Sequence, residues 1–242
     1  FALGEPVRHP GGFIVQLKRP LDFMLLMDHG EYTGALSLAN DPNSAFSKTP
    51  RGQELQAGTK SNPMKLYAQL SADLVKGQSE PELQGKDVAG FAWKRICELA
   101  EAASTPGKFT AFPGWEWTST PNNRNLHRNV LFKDTKRVSP TEFSSIESMK
   151  PEELWQWMDA QRASGNDVMA ITHNGNLSDG ALYPRERTHA GALIDKAYSE
   201  TRIRNEPLAE ISQVKGQSET TPLLSPDDEF AEFNVFNWLL LG

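Results

Sequence analysis

Phe23-Met24-Leu25-Leu26-Met27, entered from Arg19-Pro20-Leu21-Asp22 and stopped at Asp28-His29-Gly30-Glu31, carries the fold in miniature. A short apolar run with abrupt polar ends suits a strand buried on both faces, as in a parallel sheet. The form recurs along the chain. Residues 109–117 are apolar and aromatic with Glu116 near their end, and 129–132, 168–172 and 208–214 are further strand-like runs. Helical spacings lie between them. Ala92, Ile96, Leu99 and Ala103 form an apolar stripe over 88–103. Pro151 opens a helix over 151–163 that buries Leu154, Trp155 and Met158, and 190–204 reads as a charged surface helix. Strands alternating with helices predict an α/β barrel or layered sheet. With no internal repeat and no linker, the expectation is one domain over residues 1–242.

Residues 37–87 interrupt that alternation. They are rich in Pro, Gly, Ser, Asn and Gln, and contain a helix start at Asn62-Pro63 that puts Leu66, Tyr67, Leu70 and Leu74 on one face. An insertion of this length in a compact domain predicts a lid or a functional loop. The net charge is −6 and the basic residues are scattered, not striped, which argues against a general nucleic-acid or membrane-surface binder. No run approaches the roughly 18–20 apolar residues of a membrane span. A soluble protein of the periplasm or the cytoplasm, with a small-molecule substrate, is the expectation. The single cysteine, Cys97, can form no intramolecular disulfide and is expected as a small core residue. The chain opens on Phe1 instead of methionine, and its apolar run 235–241 stops abruptly. A piece of a larger protein is expected on that ground.

Chemistry collects where strands end. Asp28-His29, His173-Asn174 and Lys215 to Glu219 each follow an apolar run, and Glu116 stands at the end of a fourth. In parallel α/β folds, ligands bind at the carboxyl ends of strands because the loops there surround one mouth. If residues 118–125 close a hairpin, Glu116 and His127 sit opposite or nearly so, with Cβ atoms about 4.5–5.5 Å apart. Such a pair could share a metal ion, or Glu116 could simply orient His127. Imidazole with carboxylate suits zinc, manganese or iron better than calcium. Each residue also has a plain structural reading: His29 as a hydrogen-bonded strand terminus, His173 as a loop cap, and Glu116 and His127 as surface residues. No Gly-x-Ser-x-Gly elbow, Walker loop or Gly-x-Gly-x-x-Gly is present.

Several of these stretches together match a known pattern. Pro20-Leu21-Asp22-Phe23 leading to Met27-Asp28-His29-Gly30-Glu31-Tyr32 resembles the second motif of the PHP (polymerase and histidinol phosphatase) superfamily. Gly114-Trp115-Glu116-Trp117-Thr118, His127-Arg128-Asn129-Val130-Leu131-Phe132, Ile171-Thr172-His173-Asn174 and Lys215-Gly216-Gln217-Ser218-Glu219 extend the likeness to a bacterial domain-of-unknown-function family placed in that superfamily. The resemblance implies a distorted (β/α)7 barrel, incomplete in this chain, with two or three divalent ions (Zn, Mn or Fe) in the intact protein. It implies His29, Glu116, His127, His173 and Glu219 as metal ligands, and Asp28, Glu116 and Lys215 as catalytic residues, with Asp28 supporting His29. The superfamily's opening His-x-His and closing Asp-x-His are absent, so the chain would hold part of the ligand set. The activity implied is a metal-dependent phosphoesterase. Another metallohydrolase, acting on an amide or sulfate ester, and a binding module without metals are the alternatives.

Overall fold

Proline and short polar caps fix the helix starts. In chain order, β1 (Val7–Arg8), β2 (Ile14–Val15) and β3 (Phe23–Leu25) precede α1 (Ala35–Asn40), α2 (Pro50–Ser61), α3 (Pro63–Val75) and α4 (Pro81–Gln84). Next come α5 (Phe91–Ala103), β4 (Thr110–Phe112), β5 (Gly114–Trp117), β6 (Arg128–Phe132), α6 (Pro151–Ala163) and β7 (Val168–Thr172). The succession closes with α7 (Lys196–Asn205), β8 (Leu208–Ala209), β9 (Ser212–Gln213) and β10 (Gly216–Gln217). This computed structural model describes residues 1–223, 225–233 and 235; apart from Val235, the apolar run 235–241 lies outside them. Proline occupies the first turn of α2, α3, α4 and α6, where its missing N–H costs nothing. Thr49, Asn62 and Asp195 cap α2, α3 and α7 by accepting from the N–H groups of Gly52, Lys65 and Tyr198.

The central sheet is mixed. Its order is β5-β6-β7-β8, with β5–β6 and β6–β7 antiparallel and β7–β8 parallel. β3 and β4 pair parallel, and the same two stretches of chain pair again, parallel, at His29 and Glu116. The segment from Phe23 to Gly30 therefore runs alongside 110–117 and extends the sheet by one edge. The chain is α/β, as expected, but among the described residues the strands close into no barrel. The hairpin considered for residues 118–125 does form: the turn after Trp117 returns the chain as an antiparallel neighbour.

One face of the sheet is dry. Trp115, Trp117, Val130, Phe132, Val168 and Ala170 alternate onto it and meet Trp93 and Cys97 of α5 and Leu154, Trp155 and Met158 of α6. Trp93, Trp115, Trp117 and Trp155 are each no more than 2% exposed. Trp115 meets Trp93 and Trp157 edge to face at centroid distances of 5.3 and 5.5 Å, a favoured aromatic geometry. The expected stripe on α5 has the right period and the wrong phase: Trp93, Cys97 and Ala100 are buried, while Leu99 is 51% exposed. Trp93 decides the rotation, since its indole both fills the core and donates to Ser139 O at 2.7 Å. Burial pushes the Cys97 thiol up to about 12, with the nearby Glu142 adding to it.

The insertion is helical and has a core of its own. Tyr32, Ala35, Leu38, Ala39, Leu55, Leu83 and Val88 are buried together, with Leu66, Leu70 and Leu74 of α3 against them. Tyr67, expected on the same face, is exposed instead. Among the described residues no helix is long and apolar enough to cross a membrane.

Candidate metal-ligand cluster at the end of the sheet

Strand register brings the expected residues to one edge. Glu116 pairs with Asn129 and Trp117 with Arg128, while Arg128 pairs with Thr172 across the next ladder. One step beyond, His127 and His173 leave the sheet as neighbours, joined by His173 N–H donating to His127 O at 3.0 Å. On the other side, Gly30 N–H donates to Glu116 O at 2.9 Å and Glu116 N–H to Asp28 O at 2.8 Å. Glu116 and His127 are thus diagonal partners two residues out of register, not opposed, and the period of two keeps both on one face. That face is the one turned away from the tryptophan core.

The Glu116 carboxylate is the meeting point. Its Oε1 lies 2.8 Å from His127 Nδ1, and its Oε2 lies 3.8 Å from both His29 Nδ1 and His173 Nε2. Burial by itself would raise the Glu116 pKa, but the approach of His127, then of His29 and His173, outweighs it and holds the acid down to about 2. Burial lowers the His127 pKa, against the pull of Glu116. The two shifts favour an ionised carboxylate at Glu116 and the uncharged ring at His127. Although Nδ1 of His127 lies 2.8 Å from Glu116 Oε1, the contact lacks hydrogen-bond geometry, and among the described residues that buried oxygen has no hydrogen-bond partner. Nδ1 of His127 also meets the Asn174 amide nitrogen at 3.0 Å, and Nε2 meets Thr120 Oγ1 at 3.0 Å.

Neighbouring polar groups hold the cluster in place. Thr118 donates its hydroxyl hydrogen to Glu116 O at 3.2 Å and so receives His29 Nδ1 at 2.6 Å as an acceptor. Glu31 Oε1 accepts from the N–H groups of Thr118 at 3.2 Å and Ser145 at 2.7 Å, tying the turn after His29 to the neighbouring strand. Glu210, just past β8, bonds His173 Nδ1 through Oε2 and accepts from Asn174 N–H at 3.1 Å through Oε1. Asn174 adopts a left-handed backbone, φ 58°, which turns the chain back under His127.

The remaining expected residues stand apart. Asp28 is exposed and makes no side-chain hydrogen bond to His29, whose partner is Thr118. Lys215, in the β9–β10 turn, is half-buried; its carbonyl accepts from Asn176 at 2.8 Å, and its ammonium joins no ion pair among the described residues. Glu219 is exposed beyond β10 and makes no contact with the histidines. Thr118 and Asn174 fall in stretches that the sequence had singled out, although without a role of their own; Glu210, Thr120 and Gln213 were not expected.

Among the described residues, no three His, Cys, Asp or Glu side chains surround a common point as metal ligands; they meet at the oxygens of Glu116 instead. No curated protein and no solved structure matches the chain. Residues 1–240 match the family described as "Protein of unknown function (DUF3604)", and the chain belongs to that family.

Proposed function

We propose that this chain carries part of the active site of a metal-dependent hydrolase, a phosphoesterase, on a sheet that belongs to a PHP-type barrel. The observation that carries the reading is the buried Glu116 carboxylate ringed by imidazole nitrogens of His29, His127 and His173, with Oε1 lacking a hydrogen-bond donor among the described residues. Chemistry of the donor set supports a divalent ion: neutral imidazole and ionised carboxylate are the protonation states a metal needs, and the mixture suits zinc, manganese or iron. A buried acceptor left without a hydrogen is costly unless something positive answers it. His29, Glu116, His127 and His173 would hold the ion. When bound, it would supply Lewis acidity towards an ester oxygen and acidify a water.

The chain's own groups supply the rest. Glu116 stays charged and places a negative centre at the strand ends. His29, the most exposed of the three histidines with 49% of its side chain accessible, opens the cluster to solvent and so to a ligand. The helical insertion flanks the His29 turn through Tyr32 and Gln84, which makes it the segment that sets substrate choice. Parallel assays on nitrophenyl phosphate mono- and diesters, a nitrophenyl sulfate and an anilide, after loading with manganese or zinc, test this. Turnover of phosphoesters, lost in Glu116→Gln, is the expected outcome. Cleavage confined to the sulfate or the anilide overturns the phosphoesterase assignment.

A further inference from the structure

The site face of the sheet carries one more polar side chain. On β6, Asn129 lies on the same face as His127, two residues before it, because successive side chains alternate. Its register partners are Glu116 on β5 and Ile171 on β7, and His173 lies diagonally across the second ladder, two residues beyond Ile171. Three of the four cluster residues therefore surround it on the sheet: one opposite, one along the strand, one diagonal. Its other neighbours on that face, Leu131, Met169 and Ile171, are apolar.

The kind of pairing decides how close Asn129 comes to Glu116. Both backbone groups of Glu116 are engaged on its other side: the N–H donates to Asp28 O at 2.8 Å, and the carbonyl accepts from Gly30 N–H at 2.9 Å. Its pairing with Asn129 is thus of the non-hydrogen-bonded kind, in which antiparallel strands bring opposed side chains closest. Opposed Cβ atoms lie about 4.5–5.5 Å apart, nearer the short end in pairs of this kind.

Two buried oxygens result. Glu116 Oε1 and Asn129 Oδ1 each lack a hydrogen-bond partner among the described residues, and burying an acceptor without a donor costs about 1–3 kcal/mol. Two acceptors cannot answer each other; a cation answers both. The histidines and Glu116 by themselves are short of a complete site, since among the described residues no three His, Cys, Asp or Glu surround a common point.

We infer that the Asn129 side-chain oxygen is a ligand of the same divalent ion as Glu116 and His127, adding a neutral oxygen donor to carboxylate and imidazole. The inference rests on the metal-site reading and sharpens it, because a carbonyl oxygen tilts the site from zinc towards manganese.

Dissociation constants for manganese and zinc, measured on the whole chain by competition with a chromogenic chelator, test it in Asn129→Leu and Asn129→Asp. Leucine keeps the branched shape and offers no donor. Manganese affinity should then fall at least about tenfold, the lower end of what even an outer-shell partner is worth, and zinc affinity should fall less. Aspartate tells ligation from orientation, because an ionised carboxylate ligates a metal but cannot donate a hydrogen to Glu116. Asn129→Asp should bind manganese at least as tightly as the native chain. Without metal, its two directly opposed carboxylates should lower the urea midpoint, and manganese should restore it by binding the folded state alone. The assignment is overturned, with the metal site left standing, if manganese binds Asn129→Leu as tightly as the native chain or loses no more there than zinc does. Weaker manganese binding in Asn129→Asp, or an aspartate variant that manganese cannot restore, overturns it equally. A native chain that takes up neither ion removes the metal reading and Asn129's part in it together.

Discussion

Replacing Glu206 by glutamine tests the support behind the cluster. Glu206 sits at the end of α7 with 1% of its side chain exposed; Oε1 accepts from Arg128 Nε at 2.8 Å and from Trp155 Nε1 at 2.7 Å. Arg202 lies 3.1 Å from Oε2. Arg128 is as deeply buried, spans from β6 towards α7, and binds Leu126 O, one residue before His127. Glutamine keeps the volume and one acceptor but removes the charge that answers Arg128. Removing one partner of a buried pair costs about 3–5 kcal/mol, mostly from the charge left behind. The lower end applies here, because Leu126 O and the Trp117 ring, 5.6 Å away, still face the guanidinium.

Urea unfolding followed by tryptophan fluorescence reads this directly, since Trp117 and Trp155 both touch the pair. With a slope of about 2–3 kcal/mol/M, the midpoint of Glu206→Gln should fall by about 1–1.5 M. The double variant Glu206→Gln/Arg128→Met should recover part of the loss, because the more deeply buried of the two arginine charges is then gone and only Arg202, 16% exposed, lacks its carboxylate. A fall under about 0.3 M on the same slope, or a double variant less stable than the single one, would refute the reasoning.

Other outcomes follow from the same geometry. Glu116 is held well below its ordinary 4.5, down to about 2. A depressed acid stabilises the fold above its unfolded pKa and loses that contribution as pH falls through the folded one. The stability difference between the native chain and Glu116→Gln should therefore shift in favour of the variant between about pH 4.5 and pH 2, read by acid-dependent unfolding. Gly114→Ala should cost about 1–3 kcal/mol, because a Cβ there would meet Val130 O at 2.4 Å and Met27 Cε at 3.0 Å; unfolding midpoints check it. Cys97, buried and with its thiol near 12, should react with a disulfide reagent only at the rate of opening, and promptly once urea unfolds the chain.

Where local signals and packing agree, the sequence was a good guide. The helix Pro151–Ala163 lies where proline placement and apolar spacing put it, with Leu154, Trp155 and Met158 buried. The strand Val168–Thr172 likewise has its expected ends. The run 109–117 was legible as strand but not as two strands; Pro113, which has no N–H to give a ladder, divides it. The phase of α5 was not legible, because spacing cannot say which of two adjacent stripes a tryptophan will turn inward. Mixed sheet order was legible only at 118–125, where a hairpin could be read; elsewhere an apolar strand looks the same whichever way its neighbour runs.

The cluster itself was half legible. His29, Glu116, His127 and His173 could be named because each stands where an apolar run meets polar residues, and the sheet does bring these four together. Glu210 bonds a histidine 37 residues away, and Gln213 an asparagine 39 away, distances over which no local pattern reports. Lys215 and Glu219, taken from the same stretch of sequence, part from the cluster because the β9–β10 hairpin turns the chain away.

Plasma mass spectrometry of the purified chain after equilibration with zinc, manganese or iron and removal of free ion is the most direct test of the central proposal. Retention of at least one ion per chain, abolished by Glu116→Ala and by His127→Ala in variants that keep the native unfolding transition, is the expected result. A folded chain that retains no metal, or one whose metal is untouched by both substitutions, would contradict it.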